Sequence, residues 1–188
     1  MSKAFTPKRS YPWTTTVNGK KIVFRLLGPA DRDLALHFAQ ALPQNDLLFL
    51  TFDITNPAAL DLWIRSIENN QAITVIAEVD ERFVGYGSLN YNQLQWTRHL
   101  GEIRLMVGSD QRGRGLGKLL VNEVFVIAQE LGLKKLEARM ASEQRGAVQV
   151  FEHLGFKAEA LLHDHVVDRE GKTHDLIIMS YDVTGFTE

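Results

Sequence analysis

Gln111-Arg112-Gly113-Arg114-Gly115-Leu116-Gly117-Lys118 separates an apolar run at 103–107 from a long amphipathic run at 116–131. A strand that ends in glycines and basic residues and then opens a helix gathers free backbone N–H groups at one point, beside the positive end of the helix dipole. Such a turn is an anion site, and phosphate is the anion that suits it best. Glycine lets the main chain approach a diphosphate without interference from Cβ atoms, while Arg112, Arg114 and Lys118 add charge at the rim. A P-loop requires Gly-x-x-x-x-Gly-Lys-Ser/Thr, but here Gly113 stands four positions before Gly117 and Leu119 follows Lys118. A dinucleotide fingerprint requires Gly-x-Gly-x-x-Gly, whereas Gly113, Gly115 and Gly117 give Gly-x-Gly-x-Gly. The remaining alternative is a solvated basic turn ahead of an ordinary helix.

On the N-terminal side of this stretch, Glu102, Arg104 and Met106 alternate with Ile103, Leu105 and Val107, which predicts a strand. On the C-terminal side, Leu116, Leu120, Val124, Ile127 and Leu131 keep a helical period that Gly132 stops. Lys135 to Met140 then alternates as the next strand, and a helix from about Gln144 to Leu154 ends at Gly155. Two more strands follow, near 156–167 and 175–181, around the turn Arg169-Glu170-Gly171-Lys172. Earlier in the chain, Asn18-Gly19 marks a hairpin between Trp13–Val17 and Lys21–Leu27, because both turn residues tolerate positive φ. Helices are expected over Asp31 to Leu42 and from the cap Asn56-Pro57 through Ile67, then a second hairpin from Ile73 to Tyr91 around Asp80-Glu81-Arg82. A strand, crossover helix and strand beyond the glycine turn imply a locally parallel pair, whereas the hairpins imply antiparallel ones. The fold class is α/β (α+β) with a mixed sheet.

Arg112, Gly115 and Gly117 fit the pattern Arg/Gln-x-x-Gly-x-Gly/Ala, and the run from Glu102 to Lys118 resembles the acetyl-CoA signature of the GNAT superfamily of N-acetyltransferases. A second block supports this: the superfamily pattern Asn-x-x-Ala-x-x-x-Tyr-x-x-x-Gly-Phe is met by Gln144, Ala147, Phe151, Gly155 and Phe156. The match covers about residues 73–181. The terminal block resembles ribosomal-protein-alanine and small-amine acetyltransferases, and the lead-in is similar, more loosely, to bacterial protein-lysine acetyltransferase domains. The resemblance implies a mainly antiparallel sheet with a splayed central parallel pair, flanked by helices. It further implies acetyl-CoA as donor, with its pantetheine arm held by the main chain of Leu105, Met106 and Val107. The diphosphate falls to Arg112, Gly113, Arg114, Gly115, Leu116, Gly117 and Lys118, and Gln144 and Phe151 border the same molecule. Amine-bearing small molecules, peptides and proteins all qualify as acceptor. The same scaffold also admits another acyl donor, an oxygen acceptor, or a noncatalytic acyl-CoA sensor.

The remaining composition narrows the setting. A chain of 188 residues with 45% hydrophobic and 23% charged residues suits one soluble domain, expected over 13–188 behind a partly disordered arm at 1–12. The formal net charge of −2 supplies no global cationic field, so nucleic acid is not an expected partner. With no cysteine, disulfides, thiolate metal sites and a covalent cysteine mechanism are excluded. No apolar run approaches the roughly 20 residues of a membrane span, and residues 1–20 lack the apolar segment of a secretory signal, so a cytoplasmic protein is expected. A homodimer is compatible with the resemblance, although no residue pattern fixes an interface.

Glu102 is the candidate general base, directly or through water; the alternative is a salt bridge, for example with Arg104. Phe151 stands where the resemblance expects a tyrosine that protonates the leaving thiolate. Solvent, or Tyr86, Tyr91 or Tyr181, would then supply the proton, unless the domain only binds the donor. His163-Asp164-His165, with Asp168, His174 and Asp175, lacks a fixed ligand geometry, and no metal is expected. These residues belong near the acceptor end or on the surface. Leu47 to Phe52 is too apolar for a solvated loop and packs on the core or lines a cleft; Phe49, Phe52 and Trp63 read as core.

Overall fold

The computed structural model describes residues 5–47, 50 and 52–183. Strands β1 (Trp13–Val17) and β2 (Lys20–Leu26) form the opening hairpin, whose turn residues Asn18 and Gly19 take φ values of 50° and 75°. A short 3-10 turn at Pro29–Asp31 leads into α1 (Arg32–Gln40), and α3 (Pro57–Glu68) starts where the Asn56 side chain accepts from the Ala58 amide at 2.9 Å. Between them lies α2 (Gln44–Leu47), which the sequence reading did not anticipate; Leu47 is buried there, while Leu48, Phe49 and Thr51 lie outside the described residues. The remaining elements are β3 (Ala72–Val79), β4 (Arg82–Tyr91), β5 (Leu100–Val107), α4 (Leu116–Glu130), β6 (Lys135–Ala141), α5 (Arg145–His153), β7 (Lys157–Val167) and β8 (Thr173–Asp182). No described helix is long and apolar enough to cross a membrane.

The eight strands form one sheet in the order β1-β2-β3-β4-β5-β6-β8-β7. All neighbours are antiparallel except β5 and β6, which are joined by the crossover helix α4 and therefore run parallel. Each face of the sheet has its own core. On one face Leu120, Val124, Ile127 and Ala128 of α4 pack with Val75, Leu89, Ile103 and Leu136, and Phe151 of α5 joins them. The other face is closed by Ala35, Phe38 and Ala39 of α1 and Leu60, Trp63 and Ile64 of α3, against Ile76, Phe83 and Tyr86. A strand with helices on both sides is buried on both faces, and β4 is accordingly buried almost without a break from Phe83 to Tyr91. Gly87 sets how closely α4 approaches: a Cβ there would lie 2.9 Å from Val124 Cγ2 and 3.1 Å from the Leu120 carbonyl oxygen.

The parallel pair is short. Its register runs Leu100↔Lys135, Gly101↔Leu136 and Glu102↔Glu137 and stops there, although β5 continues to Val107 and β6 to Ala141. Each strand keeps its antiparallel partner along that length, β4 for β5 and β8 for β6. The sheet therefore opens between residues 103–107 and 138–141 into a V, the splay that the resemblance implied.

Residues 5–12, expected as the arm, reach α4. Glu123 on that helix is only 4% exposed, and its carboxylate accepts from Arg9, from the Tyr11 hydroxyl at 2.7 Å and from the Trp13 indole N–H at 2.9 Å. Arg9 also lies over the Trp13 ring at 4.6 Å, and the Lys8 amide donates to Glu130 at 2.8 Å. A buried carboxylate with several donors is satisfied, and the segment that supplies them is drawn onto the helix.

Candidate active site

The glycine turn connects the end of β5 to the start of α4. Gly113 and Gly115 adopt φ values of 71° and 84°, in the left-handed region that L side chains rarely enter. Among the described residues, the amides of residues 112–118 donate to no acceptor, whereas Gln111 N bonds the Gly108 carbonyl and Leu119 N the Gly115 carbonyl. These free amides surround the N-terminus of a helix of 15 residues. An anion here meets both oriented donors and the helix dipole. Leu116 contributes only its amide, since its side chain is buried in the α4 core, and a Cβ on Gly117 would make ordinary contacts with Leu105 and Val107. Arg114 lines a neighbouring cavity of about 160 Å³ with Lys20 and Asn18 of the first hairpin. Arg112 turns the other way: its Nε donates to the Val107 carbonyl at 3.0 Å and its Nη2 to Asp46 at 2.5 Å, tying the turn to β5 and α2.

The open edge of β5 follows from register. Gly108 N donates to the Val84 carbonyl, so residues 106 and 104 bond β4 by alternation, while the N–H and C=O groups of Ile103, Leu105 and Val107 point toward the gap. Of the three residues expected to hold a pantetheine arm, Leu105 and Val107 thus present main chain to the gap. The Met106 main chain is engaged with β4, and its side chain packs with the α1–α3 core.

Beyond the last paired register lies a cavity of about 100 Å³. Ile103, Arg104, Leu105 and Met106 form one wall and Ala138, Arg139 and Met140 the other. Gln144, Ala147 and Phe151 of the α5 region close one end, and Leu50, Phe52, Ile54, Trp63, Tyr86 and Ser88 close the other. Gln144 is fixed by its side-chain oxygen, which accepts from the Ala141 amide at 2.9 Å. Phe151 packs edge-to-face on Phe156 with ring centroids 5.0 Å apart. Phe52 and Trp63, read from the sequence as core, line this cavity, and Trp63 is buried as well; Phe49 lies outside the described residues.

Glu102 sits at the closed end of the V and accepts from Arg104 Nε at 2.7 Å, which is the salt-bridge alternative; it does not line the cavity. Of the three tyrosines considered as proton donors, Tyr86 alone lines it. Tyr91 is buried on the α4 face, and Tyr181 packs against Phe125 and Phe156. The Tyr86 ring packs edge-on to Phe38 and Phe83 and tilted against Trp63, and its hydroxyl bonds no described protein group. Burial pushes this phenol up to about 12 against the opposing pull of the Arg104 charge, so it stays protonated at neutral pH. Ser88, also on the cavity wall, accepts from the Thr74 hydroxyl at 2.9 Å.

Sequence reasoning missed Arg139, which repeats on β6 the arrangement of Arg104 on β5: its Nε donates to Glu137 at 2.6 Å. The duplicated triplets Glu102-Ile103-Arg104 and Glu137-Ala138-Arg139 were the available signal.

The histidine and aspartate group lies apart from the cavity. A register shift between Leu162 and Val166, with Asp164 at φ 48°, breaks the alternation that would have put His163 and His165 on one face. His163 instead meets Asp175 at 3.2 Å. His174 is held between Glu143, 2.8 Å from Nδ1, and Asp168, 2.7 Å from Nε2. Bonding first to Glu143 and then to Asp168 raises the histidine above its ordinary range, and both carboxylates are lowered in return. Among the described residues no group of three or more His, Asp or Glu is placed to hold a metal ion.

Comparison with known proteins places these features in context. The profile of the acetyltransferase (GNAT) family matches residues 35–156. YwnH of Bacillus subtilis, whose name assigns it provisionally to phosphinothricin acetylation, is 29% identical over 99 residues, which are 53% of this chain and 56% of that protein. The chain thus spans about half the length of the relatives it matches in sequence. The ribosomal-protein-S5-alanine acetyltransferase of Vibrio fischeri superposes with a TM-score of 0.74 at 16% identity, covering 94% of this chain and 100% of that one. An acetyltransferase structure from Salmonella typhimurium, solved with acetyl-CoA, gives 0.69 at 18% identity over 86% and 94% of the two chains. At these identities the structural likeness is one of fold.

Proposed function

Since the chain belongs to the acetyltransferase (GNAT) family, we propose that it transfers an acetyl group from acetyl-CoA directly to an amine, with both substrates held in the V of the sheet. The observation that carries this reading is the run of amides at 112–118 that donate to no acceptor among the described residues, aligned with the open edge of β5 and the cavity beyond it. The amides would take the diphosphate, and the edge at Leu105 and Val107 would pair with the amide-bearing pantetheine arm much as a strand does. The thioester then lies between the parting strands, where a main-chain N–H of β5 stabilises the oxyanion that forms on attack.

In the reaction the amine nitrogen bonds the acyl carbon, the carbon–sulfur bond breaks, and the ammonium proton must leave before attack while the sulfur gains one. Glu102 keeps one carboxylate oxygen beyond its bond to Arg104, and it accepts the amine's proton through water. Tyr86, which lines the cavity, gives a proton to the sulfur in place of the hydroxyl that Phe151 lacks.

Calorimetry with CoA and a thiol-release assay over a panel of amines, amino acids and peptides test the reading together. CoA binding with turnover of one class of amine is expected. Binding with no turnover of any acceptor supports instead a noncatalytic acyl-CoA sensor, the alternative that Phe151 motivates, and failure to bind CoA removes both.

A further inference from the structure

We infer that the acceptor is a small α-amino acid with an apolar side chain, whose carboxylate is taken by the guanidinium groups of Arg104 and Arg139 across the gap. The inference rests on the proposed acetyl transfer and adds the acceptor's class. The two arginines occupy equivalent places: Glu102 faces Glu137 in the last register of the parallel pair, and each arginine lies two residues further along, on the same face of its strand. Each uses Nε to bond the glutamate behind it, at 2.7 Å for Arg104 and 2.6 Å for Arg139. Their terminal nitrogens bond no described acceptor, while both side chains line the cavity and neither glutamate does.

A guanidinium with Nε anchored and its other nitrogens free is an oriented two-pronged donor, and carboxylate is the group it fits in both geometry and charge. Phe52 supports the Arg104 plane, with the guanidinium carbon 5.9 Å from the ring centroid. Opposite charge in the cavity is already committed: Asp46, its one lining carboxylate among the described residues, is bonded to Arg112 at 2.5 Å. A polycationic amine would therefore meet two like charges with no free carboxylate to receive it. Leu50, Ile54 and Trp63 offer the remaining surface to an aliphatic side chain.

The test uses matched acceptors: leucine against leucinamide and 3-methylbutylamine, and methionine against 3-(methylthio)propylamine, each with acetyl-CoA and the full chain. The expected result is a kcat/KM for the amino acids about 10- to 100-fold above that of amines lacking the carboxylate, the worth of hydrogen bonds to a charged group. Arg139→Gln, and separately Arg139→Lys, should shrink that ratio while CoA binding by calorimetry persists; the ratio identifies the carboxylate's partner where a general loss of rate would not. Equal or faster turnover of the decarboxylated amines overturns the inference and leaves acetyl transfer standing. Turnover of neither member of either pair, in a protein that binds CoA, also overturns it. A protein that does not bind CoA removes the functional reading itself.

Discussion

Glu102 faces Glu137 across the last register of the parallel pair, and one residue further on the two strands part. Each carboxylate is already bonded to the arginine two positions along its own strand, so Glu102 is both an anchor and the proposed proton acceptor. Replacing it with glutamine keeps the shape and a weaker bond to Arg104. Glu102→Gln is expected to lower kcat/KM by about 10²- to 10⁴-fold. Calorimetry should show CoA affinity little changed; an unchanged kcat/KM would leave Glu102 with an anchoring role alone.

The proposed proton-donating hydroxyl can be moved from position 86 to position 151. Tyr86→Phe removes the one tyrosine hydroxyl that described residues bring to the cavity and should reduce kcat by about 10²- to 10⁴-fold. Adding Phe151→Tyr to that variant should restore part of the rate, because position 151 borders the same space. If Tyr86→Phe keeps the wild-type kcat, solvent protonates the sulfur.

Gly115 and Gly117 lie two residues apart but answer to different constraints. Gly115 is at φ 84°, where an L residue costs about 1–2 kcal/mol; the Gly117 site has room for a methyl group, 3.6 Å from Leu105 Cδ2. Gly115→Ala should therefore lower the urea midpoint and weaken CoA binding as its amide is re-aimed. Gly117→Ala should cost no stability.

His174 predicts a pH dependence of stability. Its folded value is raised by Glu143 and Asp168, so its contribution is fully present below its ordinary value of 6.5 and is lost as pH rises through the raised one. Asp168 and Glu143 are lowered, so their contribution is present above their ordinary carboxylate values and disappears on acidification. Melting temperatures measured between about pH 6 and pH 9 should fall toward the alkaline end in the wild type and be flatter in His174→Gln. Parallel curves for the two proteins would show that the histidine is not held charged.

The sequence made the elements legible because each is punctuated: Asn18-Gly19, Asn56-Pro57, Gly115 and Gly132 all sit at turns or helix ends. It also carried the glycine turn, since Gly113 and Gly115 do adopt left-handed backbone. Long-range register was not legible. Strand parity separates Tyr86 from Tyr91, yet only pairing with β5 shows that Tyr86 shares a face with Arg104 and Glu102. Arg139 was overlooked for the same reason, because its significance depends on Glu137 lying opposite Glu102. α2 was hidden by the apolar run it leads into, and the bulge at 162–166 overrode an alternation that looked regular. Residues 5–12 have no periodicity to read, because the carboxylate that orders them is Glu123, more than a hundred positions away.

That carboxylate bears on how the chain can be cut. Trimming back to the first strand would leave Glu123 in the interior with a lone indole for company, on the helix whose N-terminus carries the proposed diphosphate site. Residues 5–12 thus work as a keel for that helix, and an affinity tag or a shortened expression boundary placed within them would be felt along α4.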